Sequence, residues 1–248
     1  MHVFWLSILS VFLVSLLSLI GIAFLALGEK KIRKILLYLV SFSAGSLLGG
    51  AFFHLLPEAF ESSLESIWIS TSVLLGILLF FVLEKVIHWH HCHNMKECEH
   101  TKALGITNLV GDGLHNFIDG IIIAASFLVA IPLGIATTLA VALHEIPQEI
   151  SDFGVLLHAG FSKKKALFFN FLSALGAIVG AIFVFLLHDV IGGLELFLIP
   201  LTAGGFIYIA SADLIPELHK EIIPHKTALQ FVFLVLGMII MAAMLFLE

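Results

Sequence analysis

The sequence predicts an all-α, polytopic membrane protein with eight transmembrane helices and both termini extracytoplasmic. Three observations predict it: an apolar composition, the placement of the basic residues, and an internal repeat. Hydrophobic residues make up 60% of the 248 and charged residues 12%. That charged share is about half that of an ordinary soluble domain, so lipid rather than water is the expected main solvent. A net charge of −6 argues against a nucleic-acid partner. Residues 1–248 read as a single transmembrane domain, since no segment outside the spans is long enough to fold separately.

A span needs about 20 predominantly apolar residues. Eight segments qualify: 3–27, 35–56, 67–87, 103–128, 132–157, 166–187, 194–214 and 228–247. The first lacks a basic leader and is longer than a signal-peptide core, so it reads as a retained helix. The second and seventh are rich in Gly and Ala, and the third, sixth and eighth are predominantly apolar. The fourth and fifth are interrupted by polar residues, yet their flanks and lengths still fit a span.

Basic residues orient the helices, because cytoplasmic loops carry an excess of Lys and Arg. With the N-terminus outside, all 12 Lys and Arg fall at cytoplasmic loops, in groups around Lys30–Lys34, Lys85–Lys102, Lys163–Lys165 and Lys220–Lys226. The opposite loops carry acids, among them Glu58, Glu61, Glu65, Asp189 and Glu195.

The repeat supports the same count. "AGSLLGGAFFHLLPE" in the second helix and "AGGFIYIASADLIPE" in the seventh align without gaps at an offset of 159. They share Ala44/Ala203, Gly45/Gly204, Ala51/Ala210, Leu55/Leu214, Pro57/Pro216 and Glu58/Glu217, and His54 pairs with Asp213. The second helix runs outward and the seventh inward. These are therefore inverted-topology repeats, an arrangement found in secondary transporters.

Two polar islands carry the chemistry: "DGLHNFIDG" in the fourth helix and "HEIPQE" in the fifth. His115 and His144 each lie about 12 residues, or roughly 18 Å, into their helices from opposite faces, close to the bilayer centre. His115 and Asp119 are i, i+4 with Asn116 beside them. His144 and Gln148 are likewise i, i+4, with Glu145 and Glu149 in an adjoining row. Each carboxylate at mid-membrane costs roughly 2.5–3.5 kcal/mol on insertion scales, and neither helix contains a Lys or Arg to offset it. A dication neutralised by Asp119 and Glu145 would relieve that cost. Single polar residues such as Asn108 read as helix-to-helix contacts.

Pro147 cannot donate to the Leu143 carbonyl, so the fifth helix should kink and leave that oxygen free for water or metal. Towards the cytoplasm Asp112 and Asp152 extend the polar line as an exit ladder. On the outer side His54, Glu58, His188 and Asp189 are placed to collect a cation. The cytoplasmic segment 88–102 holds His90, His91, Cys92, His93, Cys98 and His100, suitable zinc ligands whose spacing fits no closed zinc module.

"HNFIDG" followed by "HEIPQE", with "AFFHLLPEA" and "GGFIYIASADLIPEL", resembles the ZIP family of divalent-metal transporters over nearly the whole chain. The resemblance implies a 3+2+3 helix arrangement, with repeats formed by helices 1–3 and 6–8. It implies import of Zn²⁺, with Fe²⁺, Mn²⁺ or Cd²⁺ as alternative substrates and no organic cofactor. His115, Asp119, His144 and Gln148 would be the primary ligands. A second metal would involve Asn116, Glu145 and Asn170 of the sixth helix. The implied partners are the metal ion, the lipid bilayer and a second copy in a homodimer, in the cell membrane if the source is prokaryotic. One departure is Gln148, where this branch of the family usually has His; a neutral amide is the weaker ligand.

Two other functions compete. An exporter would also use His and Asp at i, i+4, but the cation-diffusion exporters resemble six helices plus a cytoplasmic domain. An intramembrane zinc protease would need HExxH, and here Gln148 and Pro147 interrupt that pattern. The reading is therefore a transporter and not an enzyme.

Overall fold

The computed structural model describes residues 2–22, 25, 29–89, 101–188 and 190–247. The expected loop ligands His90, His91, Cys92, His93, Cys98 and His100 lie outside the described residues, as does Asp189. Regular structure among the described residues is entirely helical. Helix α1 runs His2–Ile20. Helix α2 has three parts, Glu29–Gly49, Gly50–Leu55 and Leu56–Glu61, and α3 is Ser66–Trp89. Helices α4 and α5 are Thr101–Val129 and Ile131–His158. Helix α6 runs Lys163–His188, α7 Leu194–Leu218 and α8 Pro224–Met244.

Seven of these eight are long and apolar enough to cross a membrane. Helix α5 differs in composition and not in length, because its 28 residues include His144, Glu145, Glu149 and Asp152. Helices α3 and α8 are peripheral, with 22% and 17% of their apolar windows buried against 56% for α2 and α4. Exposed Leu75, Leu78, Phe231 and Val232 therefore form surface suited to lipid.

The sequence repeat is matched by an irregularity of backbone. Helix α2 opens into a π-helical turn at Gly50–Leu55 and α7 at Ile209–Leu214, the same 159 residues apart. Pro57 and Pro216 lie just beyond these turns. A proline lacks the N–H that would reach four residues back, and its ring presses on that carbonyl. A wider turn relieves the crowding: Leu56 and Ile215 donate instead to Ala51 and Ala210, five residues back. The correspondence extends to α1 and α6. The α-helical part of α1 ends at Ser15 and α6 is interrupted after Ala174, and the Ser15 hydroxyl donates to the Ala174 carbonyl at 2.7 Å.

Glycine sets two of the closest helix contacts. A Cβ at Gly45 of α2 would lie 1.9 Å from the Leu234 carbonyl oxygen of α8. A Cβ at its repeat mate Gly204 would lie 2.1 Å from the Val73 carbonyl oxygen of α3. No side chain fits at such separations, so glycine is what lets these backbones touch.

Helices α4 and α5 are joined by Ala130 alone, in extended conformation, with Pro132 in the first turn of α5. The two run antiparallel: Ser126 meets Thr137, His115 meets His144, and Asn108 meets Asp152. Apolar packing fills the half of the bundle near the connection, where Ile122, Ile123, Phe127, Leu133, Ala140 and Val141 meet Leu47 and Phe206. The polar residues are left in the other half, which positions the site.

Candidate metal centre

His115 is the fifteenth of 29 residues in α4 and His144 the fourteenth of 28 in α5, so both lie at mid-length. Their Nε2 atoms are 3.3 Å apart. Asp119 Oδ2 lies 3.6 Å from His115 Nε2 and 3.2 Å from His144 Nε2. Glu145 Oε1 lies 3.6 Å from each of the same two nitrogens. All four donor atoms fall within 4.8 Å of one another. A tetrahedron with metal-to-ligand distances of about 2.0–2.1 Å has edges of about 3.3–3.4 Å. Five of the six edges here measure 3.2–3.6 Å.

Electrostatics point the same way. The Nδ1 of His144 lies 3.2 Å from the Ala140 carbonyl, which only accepts, so a hydrogen on Nδ1 would be held there and would leave the Nε2 lone pair for a cation. Both oxygens of Asp119 and Oε1 of Glu145 are buried without a hydrogen-bond donor among the described residues. Lone pairs and carboxylates facing one another at such separations repel, and a cation between them reverses the sign. Two neutral imidazoles and two carboxylates match the charge of a divalent ion. Phe80 of α3 and Phe206 of α7 set ring edges or faces against His115 and His144, at centroid distances of 6.0 and 6.2 Å. These side chains limit how the imidazoles can rotate.

The other expected residues divide into groups. Asn116 is fully buried and donates to the Asp112 carboxylate at 2.9 Å, leaving its own Oδ1 without a partner. Asp112 also accepts from Ser173 of α6. Gln148 lines the cavity described below together with Asp112. Glu149 is not one of the four converging donors and accepts a hydrogen bond from Asn170, which also donates to the Ser18 carbonyl at 3.3 Å. Asp152 accepts from Asn108 at 3.1 Å. His54 is buried, with Nε2 2.8 Å from the Met241 carbonyl, so it sits against α8 and not on an open outer surface. His188 pairs with Glu195 at 3.2 Å.

A cavity of about 650 Å³ leads from His115 and His144 past Asp112, Gln148 and Asp152 to Glu84, Asp213 and Glu217. It follows α4 towards its N-terminus and α5 towards its C-terminus, the helix ends nearest the Lys-bearing segments. Asp213 lies in its mouth, so the repeat-related pair His54 and Asp213 have unlike surroundings. In the opposite direction the apolar packing of Ile122, Ala140, Val141 and Phe206 closes the bundle.

One expectation is corrected. The Leu143 carbonyl released by Pro147 is not left for water or metal, because the hydroxyl of Ser43 on α2 donates to it. Sequence reasoning passed over Ser43, Ser173, Phe80 and Phe206. The only signal was indirect, in that Pro147 demanded a substitute donor without indicating its source.

An apolar eight-helix bundle with a His, Asp and Glu cluster at the base of a polar cavity defines a membrane protein with a candidate divalent-cation site. The ZIP zinc transporter family model matches residues 1–103 and 88–245 of this chain. Zinc transporter ZIP13 of Pongo abelii is 36% identical over 217 residues, covering 82% of this chain and 65% of that protein. Zinc transporter ZIP13 of Mus musculus is 33% identical, covering 85% and 70%. Zinc transporter YKE4 of Saccharomyces cerevisiae is 32% identical, covering 83% and 70%. The chain thus spans about two thirds of the length of these relatives. It belongs to the ZIP zinc transporter family and is an integral, multi-pass membrane protein.

Proposed function

We propose that the protein carries Zn²⁺ across its membrane towards the cytoplasm, with His115, Asp119, His144 and Glu145 as the transit site near the bilayer midplane. The observation that carries this reading is the near-tetrahedral set of donor separations, 3.2–3.6 Å, around two Nε2 atoms and two carboxylate oxygens. Mixed nitrogen and oxygen ligands in that geometry suit zinc and also accept Fe²⁺, Mn²⁺ or Cd²⁺. Asn116 and Gln148 flank the site and offer amide oxygens to an ion that enters or leaves it.

An arriving ion exchanges its hydration shell for these four side chains, which are already placed and need little rearrangement. Departure follows the cavity, where Asp112 and Asp152 lie next to the site and Glu84, Asp213 and Glu217 at the mouth. The Lys and Arg distribution supports a cytoplasmic mouth with both termini outside. Acids along such a route lower the energy of a partly hydrated dication without holding it as tightly as the imidazole pair does.

Proteoliposomes of defined orientation, loaded or not with radioactive zinc, test the reading. Inward-directed uptake that is lost in the His115→Ala, His144→Ala double variant is the expected result. Unchanged uptake in that variant removes the site assignment, and transport only out of the cytoplasmic side makes the protein an exporter.

A further inference from the structure

Leu143 stands immediately before His144, and Pro147 deprives its carbonyl of the helical donor. Inside a membrane an unsatisfied carbonyl is costly, and here the substitute donor comes from a different helix, the Ser43 hydroxyl of α2. Ser43 is fully buried. Helix α2 is itself pressed against α8, where Gly45 leaves room for the Leu234 carbonyl. The donor therefore sits on a helix pair that supplies none of the four converging ligands, while the acceptor belongs to a helix that supplies two.

The contact is also one-sided. The repeat mate of Ser43 is Thr202 of α7, whose hydroxyl donates to Leu198 of its own helix at 2.7 Å. Further along the α2–α5 interface, Gly50 lies against Ala140, where an added Cβ would be 3.3 Å from the Ala140 Cβ. An opening of the bundle that separates α2 from α5 would part Gly50 from Ala140. Rotation or sliding of α5 in such a movement would carry the Leu143 carbonyl off Ser43.

We infer that Ser43 is a positioning residue and latch: its hydroxyl replaces the hydrogen bond that Pro147 deletes and holds α5 in the form whose cavity opens at the Lys-bearing end. The inference rests on the proposed transit role of the site, but its test does not need zinc to move. One net hydrogen bond changes a two-state equilibrium by about three- to tenfold, which sets the effect to be read.

The reporter is Ser151→Cys, an exposed position lining the cavity, in a full-length Cys92→Ser, Cys98→Ser background. A membrane-impermeant maleimide is applied to the Lys-bearing face of vesicles without zinc. Ser43→Ala is expected to slow labelling, by up to about three- to tenfold, and Ser43→Thr, which keeps the hydroxyl, to restore it. Pro147→Ala supplies the missing backbone N–H, so adding Ser43→Ala to Pro147→Ala should change labelling little. That cycle also guards against a Ser43→Ala protein that folds poorly, because the double variant should then recover. Equal labelling of Ser43→Ala and the parent overturns the latch, and so does a Ser43→Ala effect of the same size with and without Pro147. A protein that shows the predicted labelling but takes up no zinc keeps the latch and loses the transport reading.

Discussion

Replacing Gly45 with Ala tests the helix contact on which the bundle depends. The new Cβ would lie 1.9 Å from the Leu234 carbonyl oxygen, and real Cβ atoms essentially never come within 3.0 Å of such a neighbour. Helix α8 must therefore move off α2 by about 1 Å or more, which opens the interface along its length. Overpacking of this kind destabilises by about 1–3 kcal/mol, and a rigid backbone neighbour places Gly45→Ala at the upper end. Gly204→Ala, with its Cβ 2.1 Å from the Val73 carbonyl oxygen, should cost a similar amount. Gly154→Ala is the control, because nothing lies within 4 Å of its added Cβ. There the better helix propensity of Ala should leave stability unchanged or raise it by up to about 1 kcal/mol. Thermal unfolding of the purified protein in one detergent compares the three variants. If Gly45→Ala and Gly154→Ala unfold at the same temperature, the close approach of α2 and α8 is not a structural requirement.

Other expectations follow from individual contacts. Gln148→His adds an imidazole beside the cluster and should lower the apparent KM for zinc about tenfold while slowing turnover, read by uptake in competition with Fe²⁺, Mn²⁺ and Cd²⁺. Asn170→Ala removes the donor that Glu149 receives from α6 and leaves a buried carboxylate oxygen unsatisfied, so stability should fall by about 1–3 kcal/mol in thermal unfolding, with Asn170→Gln losing less. Glu221, before α8, accepts a hydrogen bond from Lys226 at 2.8 Å, which holds its carboxyl below the ordinary Glu range. The sign of that linkage is fixed: the contact contributes above the ordinary Glu value and is lost as pH falls through the lowered one. An NMR titration should show the depressed midpoint, and Lys226→Ala should raise it towards the ordinary range, with the Ile223 N–H still donating to the carboxylate.

Different parts of this molecule were legible in the sequence to different degrees, for physical reasons. The eight helices were readable because a lipid solvent forces long apolar runs, although α5 passes only when its polar island is excused. His115, Asp119 and His144 could be brought together from helical spacing and equal depth, since one helix face and an antiparallel neighbour suffice. In the sequence Glu145 reads as a neutralising carboxylate and a second-metal ligand, not a primary one, and the structure turns its Oε1 into the cluster while Gln148, expected as a primary ligand, lines the cavity beside it. The offset of 159 announced the repeat, but a sequence echo does not specify that both prolines are met by a π turn. The bonds from Ser43 to Leu143 and from Asn170 to Glu149 were not legible at all. They join helices whose relative rotation depends on packing, so a Ser in a Gly- and Ala-rich run gives no sign of the carbonyl it will reach.

The central claim is that His115, Asp119, His144 and Glu145 hold one zinc ion between them. X-ray absorption at the zinc edge, on Cys92→Ser, Cys98→Ser protein carrying one equivalent of Zn²⁺, measures that most directly. The account predicts four nitrogen and oxygen neighbours at about 2.0–2.1 Å, two of them imidazole, and loss of that imidazole scattering in the His115→Ala, His144→Ala variant. The same spectrum in the parent and the double variant would contradict it.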